Sequence, residues 1–336
     1  MRGSARIRPP ALVAALALAA GLAVPAEAQS ELGGQRVGTS AGTFLKIPID
    51  ARGSALAGAT SSHVSGAPAL FSNPAGLGLG RRRGASFTAL RLPADIPAGG
   101  AALCLPFSPL HGWLGIGVAA VGVKMDETDE YHPLGTGREF TYSATALIVG
   151  LSQALTDKLS FGGSVKLFHE ALGTEIGGPE VTTWLADAGA IYFVGYRDAR
   201  IGLALSNFGP DLTPEGTYTS RRNGESIDYD SFSPPTFFRF SLAIDAIRTE
   251  QWNMVAIGEV GHPADNREVM RLAAELGFRE QLFLRSGYDF SADVLKLHAG
   301  CGARLRLGTR AVQADYAYAA GDAYGDIHRW SLGVLW

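Results

Sequence analysis

The chain has 336 residues and a formal net charge of −3, a balance that gives no reason to expect nucleic acid as a partner. Hydrophobic residues make up 46% of it, charged residues only 18%, and 43 positions are glycine. Glycine weakens helices and strands unless backbones must come close, so this composition argues against a soluble α/β enzyme and suits a tightly closed sheet.

Arg2, Arg6 and Arg8 precede an apolar run from Ala11 to Val24, and Ala26-Glu27-Ala28 supplies the small-x-small pattern of a cleavage site. Residues 1–28 therefore read as an export signal peptide cleaved after about Ala28, with the mature chain starting at Gln29. The run is too short to span a bilayer, and no later stretch approaches ~20 uninterrupted apolar residues, so a helical membrane protein is excluded. Residues 29–83 lack a strand period. They contain Phe44-Leu45-Lys46-Ile47-Pro48, a small-residue stretch beginning at Ala51-Arg52, and Asn73-Pro74-Ala75-Gly76. Asn73-Pro74 starts a turn, glycines at 76, 78 and 80 permit a tight path, and Ser54 to Ala59 are small enough for a short helix in a narrow space. This segment reads as an N-terminal plug.

From Gly84 to Trp336 apolar residues fall on every second position, the period at which strand side chains alternate faces. Leu295 to Leu307 is the clearest case: leucines, alanines and Cys301 lie on one face, and Lys296, His298, Arg304 and Arg306 on the other. Apolar lipid outside and a polar lumen inside satisfy both faces. The spacing predicts about fourteen strands, with short and long connections in strict alternation, as in single-chain transmembrane barrels. The fold class expected is all-β: a closed antiparallel transmembrane β-barrel over 84–336, with a small plug containing a short helix. Arg239, Arg285, Lys296, Arg304 and Arg306 would project into the lumen, and Asp187, Glu275 or Asp315 would pair with some of the arginines. The final strand sets Trp330, Leu332, Val334 and Trp336 on one face, the form of a barrel-assembly signal. Closure requires it to pair with the first strand near Gly84–Arg91.

Catalytic and ligand constellations are sparse. Gly76-Leu77-Gly78-Leu79-Gly80 runs into Arg81-Arg82-Arg83 and a strand, not the helix start that a nucleotide site needs. The seven histidines show no ligand spacing. Asp126-Glu127-Thr128-Asp129-Glu130 reads as a solvated loop, and Asp228-Tyr229-Asp230 with Arg221-Arg222 as a possible contact surface at a loop tip. Cys104 and Cys301 sit in strands far apart in order and are expected as two unpaired buried thiols.

Phe44 to Pro48, Ala51-Arg52 and Asn73-Pro74-Ala75-Gly76 together resemble the PorV/PorQ family, a branch of the FadL-like barrels in which fourteen strands surround an N-terminal plug. The likeness extends to Ser286-Gly287-Tyr288 and to His328-Arg329-Trp330-Ser331-Leu332-Gly333. It implies a role in type IX protein secretion, with cargo C-terminal domains and type IX secretion components as partners and loop 209–235 as the contact surface. Fatty-acid-transport barrels of the same superfamily share the Asn-Pro-Ala-Gly string. That implies the alternative, a channel for long-chain fatty acids or other hydrophobic small molecules, which would pass the plug and leave sideways through a wall kink. Under either reading the protein lies in the bacterial outer membrane. Lipid and lipopolysaccharide surround it, the barrel assembly machinery inserts it, and no nucleic acid, cofactor, metal or enzymatic activity is expected.

Overall fold

The computed structural model describes residues 36–219, 224–321 and 325–336. The expected signal peptide, its cleavage site and Arg221-Arg222 lie outside the described residues. The strands are β1 (Gly84–Arg91), β2 (Pro97–Phe107), β3 (Gly112–Asp126), β4 (Glu139–Ala154), β5 (Leu159–Leu172), β6 (Glu180–Phe193) and β7 (Arg200–Phe208). After these come β8 (Thr217–Thr219), β9 (Ser226–Asp228), β10 (Phe237–Arg248), β11 (Trp252–Pro263) and β12 (Val269–Phe278). The last four are β13 (Leu282–Asp289), β14 (Leu297–Leu307), β15 (Arg310–Ala319) and β16 (Ile327–Leu335). Fourteen of them close into one antiparallel barrel, while β8 and β9 form a separate small sheet inside the connection from β7 to β10.

Closure runs through β1 and β16, in register from Gly84 opposite Leu335 to Arg91 opposite His328. The Trp336 N–H extends the seam by donating to the Arg83 carbonyl at 3.0 Å. The strict alternation of connections holds only in part, since the links at 92–96 and 264–268 on the long-loop rim are no longer than the one at 194–199 on the other. The links at 108–111, 155–158, 249–251, 279–281 and 308–309 are short, and those at 127–138 and 209–236 on the opposite rim are long. Trp184, Leu305, Leu307, Trp330, Leu332 and Trp336 are exposed on the outer face. A continuous belt of large exposed apolar side chains is stable only where the surroundings are apolar. No helix among the described residues is long and apolar enough to cross a membrane.

Two ladders are irregular, β6 with β7 at Ala186/Ala188 and β10 with β11 at Asp245/Ile247. At the first, Asn207 takes a left-handed backbone (φ 58°) and its N–H donates to Asp187 Oδ1 at 2.8 Å. Two expectations need correction. Strand β14 begins at Leu297, not Leu295, because Asp289 Oδ1 accepts the N–H groups of Ser291 and Ala292 (2.9 and 3.2 Å) and turns the chain out of the ladder. Lys296 is therefore an exposed rim residue and does not project into the lumen. Cys104 is buried, donating to the Leu77 carbonyl at 3.2 Å, but Cys301 shares the exposed outer face with Leu297 and Leu305, so only one of the two thiols is buried.

The segment before β1 fills the lumen. Helix α1 (Ala51–Ala55) is capped by Asp50, whose carboxylate accepts the Gly53 N–H at 2.6 Å, and positive φ angles at Ala57 and Gly58 stop it. Single 3-10 turns follow at Ala67–Phe71 and Pro74–Gly76. One half of the lumen is apolar: Ile49, Val64, Leu70 and Leu77 of the segment pack on Cys104, Ile148, Phe168 and Leu185 from β2 to β6. The other half, walled by β10 to β16, holds a network of ion pairs beside a smaller apolar cluster of Leu56, Ala59, Ala243, Val255 and Ile257.

Candidate functional site

The apolar half is docked by the Asn-Pro-Ala-Gly string. Asn73 caps the turn at Pro74 by accepting the Ala75 N–H at 3.1 Å, and its amide donates to the carbonyls of Ser61 (2.6 Å) and Leu203 (3.1 Å). One buried side chain thus ties the turn to its own segment and to β7. Contact this close needs a wall without side chains. A Cβ at Gly189 would overlap Asn73 Oδ1, one at Gly162 the Pro74-Ala75 backbone, and one at Gly202 the Ser61-Ser62 backbone.

The charged half is organised around Glu275 of β12. Its carboxylate accepts from Arg52 Nε (2.8 Å) and Nη2 (3.0 Å) on the lumenal segment and from Arg285 Nε (2.5 Å) on β13. Arg285 continues to Asp315 at 2.6 Å, Asp315 accepts from Gln313 at 2.7 Å, and Gln313 accepts from Arg304 at 2.9 and 2.7 Å. On the other side His63 links Glu275 (3.2 Å) to Arg200 Nη1 (2.6 Å). A guanidinium only donates, so His63 Nδ1 must accept and Nε2–H must donate to Glu275, which makes the ring neutral. Burial, with Arg52 nearby, pushes this histidine, which lies on the segment and not on a strand, down to about 4. A second cluster joins Arg271 to Asp289 (2.8 Å) and Glu259 (3.5 Å), and Glu259 also accepts the Ser61 N–H at 3.1 Å.

Four of the eight residues expected in the lumen meet there. Glu275, Arg285, Asp315 and Arg304 form one chain of ion pairs and hydrogen bonds, joined through Arg52 to the plug motif. Asp187 is buried but pairs with Lys166 at 2.9 Å, not with an arginine. Arg239 is buried without a carboxylate partner among the described residues, donating to Ser72 O (2.5 Å) and Ser206 Oγ (3.0 Å). Arg306 sits at the short-connection rim, half exposed and paired with Glu280. Of the Phe44 to Pro48 stretch, Phe44 is buried in the apolar cluster with Leu45 and Ile47 packed on it, while Lys46 pairs with Asp265 beyond β11. Pro48 offers its carbonyl to Arg329 at 3.1 Å. Sequence reasoning missed Lys166, Arg200 and Glu259. Lys166 was legible from its alternation with Phe161, Val165 and Leu167, whereas Glu259 follows inward Val255 and Ile257 and reads as an outward residue.

Gly38-Thr39-Ser40-Ala41-Gly42 has the spacing of a nucleophile elbow, which requires a strand-to-helix turn. Here Ser40 forms an isolated parallel bridge with Ser233 and its hydroxyl donates to Asp265, so the string is a tether at the long-loop mouth. Leu212, from the longest connection, is buried against Phe44 and Phe168 at the same mouth. Among the described residues no group of three or more metal-ligating side chains occurs.

Two cavities flank the lumenal segment. One of about 370 Å³ opens at the short-connection end, between Val64, Ala67 and Pro68 on the apolar side and Arg52, Glu275, Arg285 and Asp315 on the polar side. A smaller one of about 80 Å³ lies towards the long loops, beside Ile47, Phe71, Phe237 and Arg239.

A fourteen-strand barrel stopped by its own N-terminal segment is the class that fold and site define. No protein-family model and no curated protein matches the sequence. Among solved structures, the toluene transporter TbuX of Ralstonia pickettii matches with a TM-score of 0.56 at 15% identity, covering 86% of this chain and 97% of its own. A FadL homologue from Pseudomonas aeruginosa matches at 0.51 and 13% identity, covering 86% and 98%. The toluene transporter TodX of Pseudomonas putida matches at 0.51 and 14%, covering 86% and 96%. At these identities the likeness establishes a shared fold.

Proposed function

We propose that this protein is a bacterial outer-membrane barrel that passes small hydrophobic or amphipathic molecules, with residues 29–83 as a plug that must shift to let them through. The observation that carries the reading is the 370 Å³ cavity beneath a plug whose ties on that side are ion pairs. A dry cavity of about 150 Å³ suffices for benzene, so the space admits a single-ring hydrocarbon or part of a longer chain. One wall is apolar and the other carries exchangeable donors and acceptors. The channels of similar fold are named for toluene and FadL-type transport, which favours this reading over the secretion role implied by the PorV/PorQ resemblance; no feature of the lumen adds to the latter.

The test is uptake of radiolabelled toluene and of a long-chain fatty acid by cells with and without the protein. Faster entry of either ligand, abolished by a disulfide that locks segment 50–66 to β13, supports a conduit. Equal entry in both strains, together with co-purification of secreted proteins through their C-terminal domains, would move the assignment to secretion.

A further inference from the structure

We infer that the outer wall at β13 to β1 carries a binding site for one anionic phospholipid of the leaflet at the short-connection rim; this rests on the membrane reading above. The wall there is indented. Leu282, Ala303, Ala314, Leu332 and Phe87 are direct neighbours across β13, β14, β15, β16 and β1, forming one lateral row on the outer face. The two alanines lie at its centre. In the next row Leu284, Cys301, Tyr316 and Trp330 follow the same order. Ala303, Ala314 and Cys301 thus form a floor flanked by Leu282 and Leu284 on one side and by Tyr316, Trp330, Leu332 and Phe87 on the other. The resulting outer cavity measures about 1030 Å³.

Just below it the rim is cationic. Arg310 begins β15 on the same outward face as Ala314, four residues or ~13 Å along the strand. Arg83 stands the same four residues before Phe87, joined to Trp336 by the backbone bond that closes the barrel. Arg279 follows Phe278 and lies over its ring at 5.2 Å. Among the described residues none of these three guanidiniums has a carboxylate at ion-pair distance, whereas neighbouring Arg306 is neutralised by Glu280. An apolar trough bounded by unpaired arginines at the depth of the headgroups matches an acyl chain joined to a phosphodiester. Zwitterionic lipid would fill the trough but bring no net charge to the arginines.

The experiment is native mass spectrometry of the detergent-solubilised full-length barrel with added phosphatidylglycerol, phosphatidylcholine or inorganic phosphate. Phosphatidylglycerol should remain bound through detergent removal while phosphatidylcholine is lost. Arg83→Gln with Arg310→Gln should weaken retention about fivefold for each arginine removed. Ala314→Trp, which fills the trough and keeps the charges, should abolish it. Heat-modifiable gel migration checks that each variant is folded, and the rim pair carries the test if Ala314→Trp does not fold. Equal retention of both lipids, unchanged retention in the rim variant, or binding of phosphate without lipid would overturn the site. Failure of the protein to insert into vesicles of either lipid would overturn the membrane reading itself.

Discussion

Replacing Glu275 by glutamine tests whether this carboxylate holds the plug to the wall. The change keeps the side-chain volume and removes the charge on which Arg52, Arg285 and His63 converge. Arg52 loses its carboxylate partner, whereas Arg285 keeps Asp315 at 2.6 Å. Breaking a buried pair by removing one partner costs about 3–5 kcal/mol; with Arg285 still compensated, the lower bound of about 3 kcal/mol is the expected value. Hydrogen exchange of the refolded barrel, followed by mass spectrometry on peptides covering residues 50–66, reads the tie directly. A loss of about 3 kcal/mol in local opening free energy accelerates exchange there roughly 150-fold, with the strands of the apolar half unchanged. Adding Arg52→Met removes the stranded cation and should recover much of the protection, because neutralising both partners is milder than orphaning one. Exchange within about twofold of the parent in Glu275→Gln, or no recovery in the double variant, would refute the assignment of Glu275 as the tie.

His63 is held neutral with its pKa near 4 against an ordinary value of 6.5. The unfolded chain therefore binds more protons between those values, and plug stability should fall as pH drops from about 6.5 to about 4, an effect lost in His63→Gln and read by thermal unfolding across that window. Asn73→Ala strands the buried carbonyls of Ser61 and Leu203 and should cost about 1–3 kcal/mol in urea unfolding of the detergent-bound barrel. Gly189→Ala places a methyl on the Asn73 amide and should cost a similar amount; combining the two should cost less than their sum, since the clash vanishes with the amide. Trp336→Ala should lower the amount of barrel assembled in cells while leaving refolding in detergent unchanged, because its backbone bond to Arg83 survives. Equal losses in both settings would assign Trp336 to stability and not to assembly.

The barrel was legible because a transmembrane wall imposes one rule on every strand, and β14 follows it from Leu297 to Leu305 before Arg306 leaves the lumen at the rim. The rule fails where a local bond overrides it: the Asp289 turn delays β14 by two residues and removes Lys296 from the lumen. Pairing inside the lumen was only partly legible. Alternation fixes that Glu275, Arg285 and Asp315 face inward, but which cation reaches which carboxylate depends on register across three strands and on how far Arg52 enters from the plug. Asp187 was expected to meet an arginine and meets Lys166, because the irregular β6–β7 ladder turns Asn207 towards Lys166, so that the Asp187 and Asn207 side chains both accept from the one ammonium. Arg239 remained without a carboxylate because β7 offers Ser206 and the plug offers the Ser72 carbonyl at that level.

The division of the lumen also decides where a path could open. On the β2–β6 side a passage requires separating Leu70 and Leu77 from Ile148 and Phe168, and each large side chain withdrawn from that packing forfeits about 1.5–3 kcal/mol. Asn73 would lose its buried acceptors as well. On the β12–β16 side Arg52 sits within a ladder of alternating charges, where Glu275, Asp315 and Glu280 all border the same cavity. A guanidinium moving from one carboxylate to the next keeps its charge compensated throughout, so the cost is that of rearrangement and not of an orphaned ion. Under the proposed transport function a ligand of low polarity would enter where the plug moves without exposing its own apolar face to the lumen, along Val64, Ala67 and Pro68 on one side and the arginine ladder on the other.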